Sequence, residues 1–321
     1  MNFDLDADDR ALQQGIRDLC RSDTAPDHPR ARDAAGGVDR DNWRELGRAG
    51  VFALRLPESE GGVELGLTGA TLVFEELGRA LVPGPLVASH LAGGLVDGAA
   101  MGDRMVGLVE RLPGTAIVEH LEALDVLVAL DDDGLWSVAP GSFEAEPVPA
   151  PLDPLTPLHR VTELPMGEQL AGPEDAYRWR LEGAVLTAGF ATGIASAATD
   201  SAVAYAKERE QFGRPIGSFQ AVKHLCADML TRAEVGRAAT YAAACAADDP
   251  AAAGDPERAA ASGLLLATEA AFANGKDCIQ VHGGMGFTWE ANVHLYVKRA
   301  AVLRTRFGGA DAHAEAAAAA R

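Results

Sequence analysis

The chain is short of cysteine, of aromatics and of positive charge, and each shortage removes a class of function. Cys20, Cys226, Cys245 and Cys278 are its four cysteines. They show no Cys-x-x-Cys spacing and no interleaved histidines, which speaks against zinc and thiol redox chemistry. Cys226 and Cys278 lie in apolar helical stretches, so small buried hydrophobes in a reducing, cytoplasmic compartment are expected. Lys and Arg number 28 against 47 Asp and Glu, a formal charge of −19. Nucleic acid and anionic membrane surfaces would repel such a balance. Aromatics make up only 6% of the chain, and the abundance of Ala and Gly favours close helix packing over a bulky core. No apolar stretch reads as long enough to span a bilayer, and Met1 to Asp9 is acidic where a signal peptide would be basic. There is no Gly-x-Ser-x-Gly elbow, no phosphate loop ending in Gly-Lys-Ser/Thr and no His-x-x-x-His pair. The triplet Asp131 to Asp133 reads as a turn, since no further cation ligands follow it, and no metal site is expected.

What is present is enough sequence for a large core: 321 residues, 48% of them hydrophobic, with room for two or three subdomains. The first ninety residues read as helices. Leu12, Ile16 and Leu19 repeat at helical spacing, and Trp43, Leu46 and Val51 begin a second apolar set. Asp23 to Asp39 is rich in Asp, Pro, Arg and Gly and reads as a connection. Leu54 to Gly62 forms a turn, because its Pro and paired Gly cannot continue a helix. A helix from Leu67 to Leu81 follows, stopping before Pro83 and Pro85. Between about Gly107 and Leu164 the pattern becomes β: Asp125 to Leu130 and Leu135 to Val138 flank Asp131 to Gly134, a hairpin signal. The prolines from Pro140 to Pro165 suit the edges and turns of a small barrel. From Trp179 helical periodicity returns. Leu181, Val185, Ala188, Thr192, Ala195, Thr199, Ala202 and Ala206 form one stripe; others run through Val222, Cys226, Met229 and Ala233, and through Leu264, Thr268, Phe272 and Ile279. Such Ala-rich helices imply a bundle, with an Ala-rich tail from Ala314 to Arg321 that frays.

Two blocks carry chemistry. In the run from Arg209 to Met229, Arg209, Phe212, Gly213, Pro215 and Gly217 sit where one helix breaks, and Phe219 and Gln220 start the next. An arginine at such a break can fork onto a diphosphate, and nearby Phe or Gln side chains can stack on or bond to an adenine; taken alone, Arg209 reads first as a solvated end-of-helix charge. In the second block, Gln280 to Glu290, Gly283, Gly284 and Gly286 allow close approach of backbone to a ligand, although Gly-Gly-x-Gly also simply ends helices. His282 reads as a packed loop histidine.

Together these blocks resemble acyl-CoA dehydrogenases. The order Trp-x-x-Leu, Gly-Val-Phe, Leu-Pro-Glu, Gly-Gly, Glu-Glu-Leu-Gly-Arg over Trp43 to Leu86 is similar to that family's amino-terminal helical domain. The likeness extends from Ala195 to Arg299 and is poor in between. It implies a mainly α fold with a small β domain: an N-terminal helical domain (1–90), a reduced middle β-barrel (91–172) and a C-terminal four-helix bundle (173–321). It also implies FAD shared across a subunit interface. Arg209, Phe212, Phe219 and Gln220 would serve the adenine-dinucleotide half, and Gln280, Gly283 and Gly284 would close on the pyrophosphate.

The departures matter as much. That family desaturates an acyl-CoA by removing the α proton with a carboxylate while a hydride leaves the β carbon. Its Tyr-Glu-Gly-Thr tetrad corresponds here to Phe307, Gly308, Gly309 and Ala310, so Gly308 occupies the usual base position. Some members place the base early in the first bundle helix. Glu182 falls about one residue out of that register and reads better as a helix-start carboxylate. Nothing between Leu86 and Leu164 matches the family's flavin-ring segment. Three readings follow. The first resembles the shortened subunit of the heteromeric, actinobacterial steroid side-chain enzymes, an α2β2 assembly with a larger homologous subunit and with electrons passing to an electron-transfer flavoprotein. The second is a self-sufficient homo-oligomer with a displaced base such as Glu182. The third is a non-enzymatic assembly homologue.

Overall fold

A computed structural model describes residues 5–22 and 38–319. Most of the expected connection between Asp23 and Asp39 lies outside them. Its last residue does not: Asp39 caps the next helix, its carboxylate accepting from the amides of Asp41 and Asn42. The chain divides into two compact units. One holds the described parts of Met1–Ser22, Thr71–Val82 and Ala184–Arg321; the other holds those of Asp23–Ala70 and Pro83–Gly183.

In the second unit, α2 (Arg40–Arg48) leads into the turn that carries Val51 to Leu56. Trp43 stacks on Phe52 at 4.7 Å between ring centroids. Helix α3 (Leu67–Arg79) starts in this unit and runs on into the other, and α4 (Leu86–Leu91) follows. Seven short strands make two sheets. One has the order β1 (Val106–Glu110), β3 (Val126–Leu130), β4 (Leu135–Val138), β7 (Glu168–Ala171); the other has β2 (Ala116–Glu119), β6 (Leu158–Val161), β5 (Glu146–Pro147). The β3–β4 hairpin forms where its turn signal lies, and Leu130 opposes Leu135. Asp131 holds the turn by accepting from the amides of Asp133 and Gly134 and from the Trp136 indole at 2.9 Å. These bonds occupy the carboxylate as a turn residue rather than a cation ligand. The pairing of β1 with β3 is parallel. Val106, Val126, Val128, Leu130 and Leu135 pack with Ala92, Val96, Ala176 and Trp179 to form this unit's core.

The first unit holds α1 (Ala7–Ser22) and the long helices α5 (Pro173–Glu208, begun in the other unit), α6 (Gln220–Asp248) and α8 (Pro256–His282). Shorter helices α7 (Pro250–Ala253), α9 (His294–Leu303) and α10 (Gly309–Ala318) complete it. Small residues let backbones touch: a Cβ on Gly193 would lie 1.9 Å from the Glu75 carbonyl oxygen, and one on Gly78 2.0 Å from that of Phe190. Two buried carboxylates of α3 are paired. Glu75 takes the Tyr241 hydroxyl at 2.7 Å and the Arg237 guanidinium at 3.1 Å; Glu76 takes Arg17.

Three expectations need correction. Helical structure begins at Pro173, not near Trp179, because Pro fits the first helical turn and Glu174 and Asp175 favour its positive end. By length and composition α5 is apolar enough to cross a membrane, contrary to the sequence reading, but 94% of the qualifying window is buried inside the protein. The tail continues as helix to Ala318 instead of fraying at Ala314, and residues 320–321 lie outside the described set.

Candidate functional site

The last turn of α5 delivers Arg209, whose amide donates to the Tyr205 carbonyl at 2.8 Å and whose carbonyl accepts from Ile216 at 2.7 Å. Between these bonds the chain folds into a two-residue hairpin, β8 (Glu210–Gln211) against β9 (Arg214–Pro215). Its central residues, Phe212 and Gly213, have φ of 54° and 77°. Positive φ at both positions is the type I′ geometry that matches strand twist, and a phenylalanine there is strained. Phe212 is also 92% exposed. The Arg214 guanidinium sits 4.2 Å over the Phe219 ring, and Phe212 meets Phe219 edge-on at 6.1 Å. Phe219 is the N-cap of α6, and Gln220 opens it, exposed, with its amide 3.0 Å from His224 Nε2. Two cations and two aromatic rings thus stand at one surface corner. That suits a ligand with a phosphate and a flat base.

Helix α8 ends at His282, and Gly283 leaves it with φ 60°. A 3-10 turn over Gly283–Phe287 follows. A Cβ on Gly283 or Gly284 would meet nothing within 4 Å, whereas Gly286 lies against the Ile279 backbone. The first two glycines therefore present bare backbone outward, and Gln280 is exposed beside them. Bare backbone of this kind fits a pyrophosphate, which side chains would hold away. These residues fit the FAD that the resemblance implies.

The two blocks are 71 positions apart in sequence between Arg209 and Gln280 (280 − 209), yet they lie together. Tyr205, one turn before Arg209, stacks on His282 with centroids 4.1 Å apart and planes at 20°. Ile216, Val222 and Tyr205 pack with Cys278, Ile279 and Val281 in one apolar cluster. His282 Nδ1 lies 2.8 Å from the Cys278 carbonyl, so the histidine packs as expected but on the last turn of α8, not in a loop. Burial pushes the Cys278 thiol up to about 12, so it stays protonated and inert. Tyr205 itself gave no signal in sequence beyond its place on a helix.

At the other positions the geometry is different. Phe307, Gly308 and Gly309 have φ of 51°, 93° and 79°, a left-handed run that caps α10 and carries no carboxylate. Glu182 lies in the third turn of α5, so it is not the helix-start carboxylate the sequence suggested. Its side chain is buried, and both its oxygens accept from Arg55, at 2.6 and 2.7 Å. Arg55 was missed by the sequence reading, since 127 positions separate the pair. His90 lies close by, its Nδ1 2.8 Å from the Val51 carbonyl. Burial lowers its pKa to about 4, with Arg55 adding to the shift, so the ring is neutral at pH 7. Among the described residues no group of His, Cys, Asp or Glu is placed to hold a metal ion.

Comparisons with known proteins give the family. The model of the acyl-CoA dehydrogenase N-terminal domain matches residues 6–99, and that of the C-terminal domain matches residues 181–320. The acyl-CoA dehydrogenase IpdE2 of Mycobacterium tuberculosis is 36% identical over 302 residues, 90% of this chain and 89% of that protein. The acyl-CoA dehydrogenase FadE34 of the same organism is 38% identical over 312 residues, 87% of this chain; the chain spans only 42% of its length. Among solved structures, the ChsE4-ChsE5 complex from Mycobacterium tuberculosis superposes with a TM-score of 0.84 at 24% identity and full coverage of both chains. At that identity the likeness shows the fold.

Proposed function

The chain belongs to the acyl-CoA dehydrogenase family, and from that premise we propose that it is the base-less subunit of a heteromeric, FAD-dependent enzyme. The enzyme desaturates an acyl-CoA thioester between its α and β carbons, of the steroid side-chain type. A larger homologous chain supplies the carboxylate and the flavin-ring domain, in an α2β2 assembly. One observation carries the reading. The stacking of Tyr205 on His282 gathers Arg209 and the Gln280–Gly284 loop into an exposed cluster, while Gly308 offers no base and Glu182 is tied to Arg55. The ChsE4-ChsE5 complex supports a two-chain assembly of this fold.

In this reading Arg209 binds FAD phosphate; Phe212, Phe219 and Gln220 line the adenine; and Gln280, Gly283 and Gly284 close on the pyrophosphate. Held by these residues, the flavin would supply the acceptor for the hydride that leaves the substrate β carbon. The chain's own residues bind and orient, and none of them moves the α proton. Electrons leave for an electron-transfer flavoprotein. The domain limits 1–90, 91–172 and 173–321 and a cytoplasmic location belong to the same proposal. The four free cysteines support the location, and the acidic surface gives neither nucleic acid nor an anionic membrane a hold.

The test is colour. Expressed alone, the chain should be folded and colourless, becoming yellow only when co-purified with a larger homologue. Arg209→Ala should lower the flavin content of that complex while both chains keep their circular dichroism. Flavin retained in full by the variant would contradict the assignment, and one flavin per chain in the isolated protein would overturn the shared site.

A further inference from the structure

A cleft of about 260 Å³ opens in the second compact unit, and its lining mixes apolar and charged side chains. Phe52, Leu56, Leu91, Leu95 and Trp179 make an apolar wall; Arg55, Glu182, His90, Asp175 and Arg178 supply the polar side. The volume is just below the range usual for drug-sized ligands, so the occupant is small.

The polar side decides its charge. Arg55 is committed to Glu182 through two short bonds, and Glu182 is nearly closed to solvent. His90 is neutral at pH 7 and contributes no charge. Arg178 differs. Its side chain is 58% exposed, and its partner Asp175 lies three residues away on the same helix at 2.6 Å. An exposed pair of that spacing is weak and is readily exchanged. One exchangeable guanidinium fork matches one planar carboxylate in bidentate fashion. A phosphate or dicarboxylate fits poorly, because Asp175 and Glu182 flank the fork and would repel a second negative charge. A wholly apolar molecule fits poorly too, since it would strip water from the paired charges without replacing it.

We propose that this cleft binds a small apolar monocarboxylate, its body against Leu91, Leu95 and Trp179 and its carboxylate on Arg178. The site stands whether or not the flavin reading holds.

The probe is cyclohexanecarboxylate, with neutral cyclohexanecarboxamide as control, titrated into the full chain and followed by Trp fluorescence and by ligand-observed saturation-transfer NMR. The carboxylate should bind in the millimolar range or tighter, and the amide at least tenfold more weakly. Arg178→Ala should weaken the carboxylate about tenfold while leaving the melting profile unchanged. Gly94→Leu is a second variant, since a Cβ at Gly94 points at the end of the Leu56 side chain, 3.0 Å away, and a longer chain fills the cleft. It should abolish binding. Equal binding of acid and amide, or of carboxylate to native and Arg178→Ala protein, would overturn the proposal, as would no binding at all.

Discussion

Replacing Arg55 with alanine tests what Glu182 does. In the native chain the guanidinium grips both carboxylate oxygens, at 2.6 and 2.7 Å, with side-chain exposures of 28% for Arg55 and 10% for Glu182. Removing one partner of a buried pair costs about 3–5 kcal/mol, because the other charge is left uncompensated. Since Arg55 keeps some solvent, the lower end applies, about 3 kcal/mol. A unit of this size loses about 2–4 °C of melting temperature per kcal/mol, so Arg55→Ala should melt about 6–12 °C below the native protein. The double variant Arg55→Ala/Glu182→Gln should be milder than Arg55→Ala alone, because no unpaired carboxylate remains. The assay is thermal unfolding by circular dichroism, with Trp fluorescence as a local probe, since buried Trp179 lines the same cleft. An Arg55→Ala variant within 2 °C of native, or a double variant no milder than the single one, would refute the reasoning. The functional arm uses Glu182→Gln in the co-purified complex. Turnover should stay within a few-fold of native. A drop of about 10²–10⁴ in the chemical step would make Glu182 a proton-transfer group after all.

Two further outcomes follow from burial and packing. His90 has a folded-state pKa of about 4 against 6.5 in the unfolded chain, so between those values the unfolded state binds more protons. The stabilisation is complete above pH 6.5 and declines as pH falls towards 4, by 2.5 × about 1.36, or roughly 3 kcal/mol; His90→Asn should flatten that decline in urea midpoints measured from pH 7 to 4. In the other unit, Gly193→Ala would set a Cβ 1.9 Å from a backbone oxygen and should destabilise by at least about 1–3 kcal/mol, whereas Gly15→Ala on open helix surface should stabilise by about 0.5–1 kcal/mol. Equal melting temperatures for these two alanine variants would sink the close-packing argument.

What could be read from sequence was what neighbours in the chain decide. The β3–β4 hairpin is legible because Asp131 makes its turn bonds within five residues. The α5 stripe is legible because its apolar period lies within one helix. The residues proposed to hold flavin came from a resemblance, since neither block is specific on its own. Long-range facts were closed to this kind of reading. Nothing in either strand announces that β1 runs parallel to β3, nor that Arg55 will meet Glu182 from the far side of the chain. The start of α5 was legible and overlooked: Pro173 with Glu174 and Asp175 behind it is a strong opening signal. The error mattered, because it placed Glu182 at a helix end, where the dipole explains a carboxylate, instead of in a third turn, where only a partner does.

That partner bears on the choice between a shared and a self-sufficient site. A general base needs a carboxylate lone pair free to reach the substrate carbon. Glu182 has both oxygens engaged by one rigid fork, and freeing one would leave a partly buried guanidinium half-satisfied. At the position the proposal matches to the family's usual base, Gly308 and its neighbours are held in left-handed geometry, φ 51°, 93° and 79° in succession. Gly308→Glu would therefore place a side chain on strained backbone, costing about 1–2 kcal/mol before any chemistry gained. The glycine there suits a helix cap, and a glutamate restored in its place alone is not expected to restore turnover to the isolated chain. Desaturation by the isolated Gly308→Glu variant would show that loss of the base is the only thing separating this chain from a complete enzyme. Its failure, beside turnover by the native chain with a larger homologue, would place the chemistry in the partner.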